Sequence, residues 1–210
     1  MDKVTVVKHP LIENSLTILR DKNTNLEVFR EHSAVISKIL FLEATKNLEL
    51  KQKEVDTPLV HFIGSEISGR IVVVPILRAG LAMLFAIQEV LPTVAVGLIG
   101  LERDEETARA REYYRKFPKI LPNDKVFVID PMLATGGSID DALQALKTKE
   151  IKVDTVISIV SVPEGIARIA KKYPDISIFT AAIDKELNDK KYIVPGLGDY
   201  GDRYFGTDVS

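Results

Sequence analysis

The run Ile71-Val72-Val73-Val74 contains no polar residue, and runs of the same β-branched kind recur at Val94-Ala95-Val96-Gly97-Leu98-Ile99, Val126-Phe127-Val128-Ile129, Val156-Ile157-Ser158-Ile159-Val160 and Ile176-Ser177-Ile178-Phe179. Such residues suit a pleated strand, and a strand that does not alternate with polar residues must be covered on both faces. Helical patterns lie between several of the runs, at 80–90, 138–148 and 163–172. Strands alternating with helices require right-handed crossovers and predict an α/β fold with a mostly parallel central sheet flanked by helices. In that architecture ligands sit beyond the carboxyl ends of the strands.

The segments around this body are of other kinds. Leu11, Ile12, Leu16 and Leu19, then Val28, Phe29, Ile36, Ile39, Leu40 and Leu42, recur near the 3.6 period and predict two packing helices within about 10–47. From 54 to 63 the pattern shortens and alternates. The stretch at about 102–122 is dense in charge, carries Tyr113-Tyr114 and two prolines, and offers no core face, so it reads as a solvated arm or flap. The tail at about 192–207 holds Gly196, Gly198, Gly201 and Gly206 and has turn rather than helix character.

A chain of 210 residues suits one domain, 1–210, with these appendages. Its 28 Lys and Arg are balanced by 30 Asp and Glu without a long basic cluster, so no global field is available to hold a nucleic acid. There is no cysteine for a disulfide, a thiolate nucleophile or a metal. The first residues show no leader pattern, and no apolar run approaches the roughly 20 residues of a membrane helix. The expected setting is cytoplasmic, with neither a nucleic acid nor a membrane as partner.

One segment carries chemistry directly. The strand-like Val126-Phe127-Val128-Ile129 runs into Asp130-Pro131-Met132-Leu133-Ala134-Thr135-Gly136-Gly137-Ser138 and then into a helical pattern. The glycines let backbone N–H groups converge on an anion, Thr135 and Ser138 add hydroxyls, and the helix start adds its unsatisfied amides. Ser138 as a plain helix cap, with Asp140 and Asp141 in the first turn, satisfies the same residues in a structural way. Asp130, at the carboxyl end of the strand, favours the ligand: it can hold ribose hydroxyls while the loop holds a 5′-phosphate. No lysine follows the glycines as a Walker A loop requires, and the spacing is not that of a dinucleotide fingerprint.

These residues resemble the signature with which type I phosphoribosyltransferases bind 5-phosphoribosyl diphosphate (PRPP). Most of that family ends the strand in two adjacent acids. Here Pro131 takes the second place, the form of the uracil-specific branch, and similarity to that branch runs from Val7-Lys8-His9-Pro10-Leu11 to Phe205-Gly206-Thr207. The resemblance implies a flexible β-arm or flap and a C-terminal base-binding hood on the α/β body. It also implies transfer of the phosphoribosyl group to N1 of uracil, giving UMP and pyrophosphate. It assigns Arg78, in Val74-Pro75-Ile76-Leu77-Arg78-Ala79-Gly80, and Arg103, at the base of the flap, to pyrophosphate. The segment from Asp130 through Pro131, Met132, Leu133, Ala134, Thr135, Gly136 and Gly137 to Ser138 would hold the rest of PRPP.

The tail Tyr192-Ile193-Val194-Pro195-Gly196-Leu197-Gly198-Asp199-Tyr200-Gly201-Asp202 resembles the uracil loop, with backbone partners at Ile193, Gly198, Asp199 and Tyr200. Cytosine would set its amine against an amide donor there, an unpaired contact costly enough to discriminate. The resemblance also puts Asp199 against PRPP, near the reacting nitrogen, where two roles stay open, orienting ligand or metal and assisting loss of the N1 proton, with the first favoured. Asp130, Asp199 and Arg103 are thus the expected catalytic residues. Mg²⁺ is the expected cofactor, bound mainly through PRPP. A homo-oligomer, dimer or tetramer, and GTP as an effector are further implications of the resemblance. Two alternatives remain at this point: a purine substrate for the same chemistry, and an RNA-binding regulator on the same fold, which the balanced charge disfavours.

Overall fold

The computed structural model describes residues 3–103 and 110–207. A short strand, β1 (Val4–Val6), precedes helices α1 (Pro10–Arg20) and α2 (Leu26–Thr45). The His9 Nδ1 accepts from the Leu11 N–H at the start of α1, where Pro10 opens the first turn, and the Asn25 side chain accepts from the Val28 N–H to start α2. A hairpin of β2 (Leu50–Asp56) and β3 (His61–Ile67) stands apart as its own antiparallel sheet. The body follows as β4 (Ile71–Leu77), α3 (Gly80–Val90), β5 (Ala95–Val96), β6 (Leu98–Arg103), β7 (Ala110–Lys116), β8 (Lys125–Ile129), β9 (Met132–Leu133), α4 (Gly137–Lys147), β10 (Thr155–Ser161), α5 (Pro163–Lys172) and β11 (Ser177–Ile183). The chain closes with the small antiparallel pair β12 (Glu186–Leu187) and β13 (Ile193–Val194) and the helix α6 (Tyr200–Phe205).

The main sheet runs β1-β11-β10-β8-β4-β6-β7, with β5 beside β4 and β9 beside β10. Among the described residues its pairings are parallel except β6 with β7 at one edge. Alternate residues of each central strand serve opposite cores, as the period of two requires. Val73, Phe127, Ile129, Ile157 and Ile159 pack with Phe29, Ile36 and Leu40 of α2 and Met83 and Ile87 of α3. Val72, Val74, Val126, Val128 and Val156 pack with Leu143 and Leu146 of α4 and Ile166 and Ile169 of α5. The all-apolar strands are therefore covered on both faces, and each buried Val or Ile contributes on the order of 2 kcal/mol. Among the described residues no helix is long and apolar enough to cross a membrane.

The structure departs from the sequence expectation in several places. The run at 94–99 is split at Gly97 into β5 and β6, because the Gly97 N–H turns to the Val73 carbonyl and a Cβ there would stand 2.9 Å from the Phe117 ring. Residues 54–63, where the pattern shortens and alternates, hold the end of β2, the turn and the start of β3. The charged arm is built as the antiparallel pair β6–β7, which flanks residues 104–109; these lie outside the described residues, as do the side chains from 102 to 111. The tail, expected to be turns, contains α6, which Asp199 caps by accepting the Asp202 N–H at 2.9 Å.

Asp140 shows how the two helices on one face are joined. Only 3% exposed in the first turn of α4, it accepts from Arg168 (2.8 Å), Lys172 (2.6 Å) and the Tyr173 hydroxyl (2.7 Å) at the far side of α5. Burial alone would raise its carboxyl, but the hydrogen bonds from Lys172, Tyr173, Arg168 and Gln144 outweigh it and bring the group to about 2. A carboxyl depressed on folding stabilises the protein above its ordinary range, and that contribution is lost as the pH falls toward about 2. Asp140→Ala should therefore lower the unfolding free energy by about 2 kcal/mol at neutral pH, given partners that are half-exposed. Urea titrations at successive pH values should show the gap from wild type closing below pH ~4.

Candidate functional site

The carboxyl ends of β4 and β8 lie side by side in the sheet, with Pro75 paired to Ile129. Each strand delivers a loop there. After β8 the chain passes Asp130, forms β9 and reaches α4 through Gly136, which adopts the left-handed conformation at φ +75°. No side chain caps α4, so Gly136, not Ser138, is its N-cap. Gly136 has no side chain to cap the helix, which leaves amides of the first turn beyond Gly137 for an anion. The Thr135 hydroxyl oxygen accepts from the Gly137 N–H at 3.3 Å, folding the loop over itself. A cavity of about 50 Å³ lies here, lined by Asp130, Met132 and residues 134–139.

Asp130 is only partly exposed at the floor of this cavity. Burial pushes its carboxyl up to about 7, against the opposing pull of a hydrogen bond from the Met132 amide. A carboxylate that is costly to ionise before its ligand arrives is poised for donors or a cation to complete it. Met132 and residues 134–138 share this lining with Asp130, whereas Pro131 and Leu133 are not part of it and the Leu133 side chain is fully buried in the core.

The loop after β4 carries Arg78 through a cis Leu77–Arg78 peptide. It lies close against β8, since a Cβ on Gly80 would stand 2.8 Å from the Ile129 carbonyl oxygen. Arg78 reaches across to the tail, where its guanidinium lies 3.3 Å from Asp202 Oδ1. The tail approaches the same loop again at Gly201, whose Cβ position is 3.9 Å from the Ala79 Cβ. Arg78, Asp130 and the segment 199–202 thus belong to one end of the sheet, joined through residues 77–80. Arg103 ends β6, and its side chain lies outside the described residues.

In the tail, Ile193 and Tyr200 have their side chains in the core, 5% and 2% exposed, with the Tyr200 ring edge-on to Phe29 at 5.2 Å. Burial also holds the Tyr200 phenol well above its ordinary value, so it offers no base. What these residues can present to a ligand is main chain. Asp199 spends one carboxylate oxygen on capping α6.

Several participants were invisible to local pattern. Asp202 read as one more tail acid, yet it holds Arg78. Gly165 read as an ordinary helix residue, yet a Cβ there would stand 2.2 Å from the Ala134 carbonyl oxygen; only glycine lets α5 lie against the phosphate loop. Arg203 donates to the Leu197 carbonyl at 2.9 Å and to the Leu19 carbonyl, and its guanidinium lies over the Phe29 ring at 4.4 Å. A wider cavity, about 800 Å³, opens between residues 115–125 and 149–154. It lies at the amino ends of the strands, where an open parallel sheet does not place its chemistry.

Comparison with known proteins agrees with this geometry. The fold aligns with the crystal structure of an adenine phosphoribosyltransferase from Trypanosoma brucei at a TM-score of 0.59 and 14% identity, over 91% of this chain and 87% of that one, a likeness of fold alone. A solved structure from Aquifex aeolicus aligns at a TM-score of 0.91 and 38% identity, over 99% of this chain and 100% of that one. In sequence, the uracil phosphoribosyltransferase of Malacoplasma penetrans is 47% identical over 202 residues, 96% of this chain and 98% of that protein. Residues 6–207 match the pattern that defines the family "Uracil phosphoribosyltransferase". The chain belongs to the uracil phosphoribosyltransferase family.

Proposed function

We infer that this chain transfers the 5-phosphoribosyl group of PRPP to N1 of uracil, releasing pyrophosphate and forming UMP. The observation that carries the reading is the meeting of a glycine-turned helix start, a carboxyl raised to about 7 by burial and a glycine-turned tail at one end of the parallel sheet. Family membership supplies the word uracil. The purine alternative has nothing in the geometry to favour it.

The roles follow from what displacement at the ribose C1 demands. Charge develops on the sugar ring and on the departing pyrophosphate, so positioning and electrostatic complement do most of the work. Thr135 to Ser138 take the 5′-phosphate on loop amides and hydroxyls, and Asp130 accepts from the ribose hydroxyls. Arg78 and Arg103 neutralise pyrophosphate, for which Arg78 must exchange its present partner, Asp202. The main chain at Ile193 and at Gly198, Asp199 and Tyr200 reads the acceptor-donor-acceptor edge of uracil, with Asp199 orienting. Among the described residues no three carboxylates or imidazoles converge on a metal cage. Mg²⁺ would be carried mainly on PRPP oxygens, with Asp130 and Asp199 as the carboxylates to orient it, and when bound would lower the charge on the leaving group.

Oligomerisation is part of the same reading. Phe62, Ile63 and Leu59 are exposed by 55%, 55% and 91% on the β2–β3 hairpin, which among the described residues pairs with no third strand. An isolated two-stranded hairpin is marginal in water, and apolar residues clustered on it suit a second copy of the chain.

The decisive assay mixes purified protein, PRPP and Mg²⁺ with uracil, cytosine, hypoxanthine or adenine. UMP should form from uracil, with no nucleotide from the other bases; folded protein that forms no UMP, or prefers a purine, overturns the reading. Asp130→Asn should lower kcat/KM for PRPP about 100-fold, a factor typical of a lost positioning contact. In the wild type this parameter should rise with pH through about 7 as Asp130 ionises, and the variant should lack that rise. Sedimentation velocity should give a dimer or tetramer for the wild type and a smaller species for Phe62→Asp. Activity measured with and without GTP tests the implied effector.

A further inference from the structure

The uracil-side loop is held from outside the site by one ion pair. Asp184, directly after β11 and 7% exposed, receives both guanidinium arms of Arg20 from the last turn of α1. Nη1 lies 2.8 Å from Oδ2, and Nη2 lies 2.7 Å from Oδ1. The same two side chains also close on Gly196. Its N–H donates to Asp184 Oδ2 at 2.9 Å, and its carbonyl accepts from Arg20 Nη1 at 2.9 Å.

Gly196 is the pivot of the loop. It sits at φ +60°, and a Cβ there would stand 2.1 Å from the Ile193 carbonyl oxygen, so the turn is folded tightly back on Ile193. Both main-chain polar groups of the pivot are therefore fixed by a pair whose members come from α1 and β11. The side chains of Ile193 and Leu197 face the core, at 5% and 2% exposure. A loop of this build discriminates between bases only by where its main chain stands, and an error of tenths of an ångström moves every donor and acceptor together.

We propose that Arg20 and Asp184 are specificity-determining positioning residues, which hold the 193–199 main chain in register for a pyrimidine carrying carbonyls on both sides of a ring N–H. The proposal rests on the uracil reading above. Neither residue belongs to the phosphate loop or the pyrophosphate loop, and both bond the main chain at Gly196, so the effect falls on the base more than on PRPP. Arginine is required for its planar fork: lysine supplies the charge but cannot make two parallel bonds to the carboxylate and a third to Gly196.

Steady-state kinetics of Asp184→Asn and Arg20→Lys, with melting curves, test this against Asp124→Asn. Asp124 forms a comparably buried pair with Arg70 at 2.7 Å, at the amino end of β8. Both clamp variants should raise the KM for uracil about tenfold, the scale of one weakened charge-assisted bond. Their KM for PRPP, and kcat at saturating uracil, should stay within about twofold. Asp124→Asn should lose melting temperature to a similar degree and leave the uracil KM where it was. The proposal is overturned if the clamp variants keep the wild-type uracil KM, if PRPP and uracil KM rise together, or if Asp124→Asn raises the uracil KM equally. Should Asp184→Asn fail to fold, Arg20→Lys, which keeps the buried charge paired, decides alone. A wild-type protein that forms no UMP overturns the uracil reading itself, before any variant is measured.

Discussion

Strands β4, β8 and β10 are buried on both faces, and the rest of the structure is arranged to keep them so. A strand with Val72 and Val74 toward one core and Val73 toward the other has no side to turn to water, which obliges helices to lie on both faces. The resulting crossovers bring successive strands out at the same end. The ends of β4 and β8, with Ile129 opposite Pro75, therefore lie side by side, and the loops that follow them meet without any further device. The site is a consequence of the core before it is a collection of residues.

Two aspartates separated by one loop show what the surroundings then do to identical groups. Asp130 and Asp140 are both withdrawn from solvent, which by itself penalises the charged form of each. Asp140 meets Lys172, Arg168 and Tyr173 and is driven down to about 2, a fixed charge with a structural duty. Asp130 meets a single amide and is driven up to about 7, a charge left incomplete. The difference marks the second as the group with room for a ligand, and it does so independently of any resemblance in sequence.

Much of this was legible from the chain alone, where the information is local. The patterns at 80–90 and 163–172 coincide with α3 and α5, since each apolar period is complete within its own stretch and Pro163 marks the first turn of α5. The Asp130 to Ser138 loop was legible for the same reason. Less local features were not. β1 is three residues long and exists because β11 offers it an edge, a partner more than 170 residues away in sequence. α6 is short, begins at a glycine-rich turn and is held by Asp199 and by packing of Tyr200 on Phe29, so propensity reads it as turn. Ser138 resembles a cap by type, but Gly136 can adopt the left-handed conformation that the chain needs to enter α4 so close to Gly165.

The tail also shows why its holding residues escape a sequence reading. Its two-residue strands and six-residue helix make few hydrogen bonds of their own, and its glycines raise the entropy cost of fixing it. Order must come from outside the segment. It comes from arginines, since one guanidinium can serve several carbonyls and a carboxylate at once. Arg203 joins Leu197 to Leu19 and Asp21, and Arg20 joins Gly196 to Asp184, so the end of α1 serves as a template against which the tail is set. Before folding, that template and the loop it shapes are nearly the whole length of the chain apart, and nothing in either stretch alone announces the other. A tail whose main chain is proposed to read the base thus depends on side chains that belong to none of its neighbours in sequence.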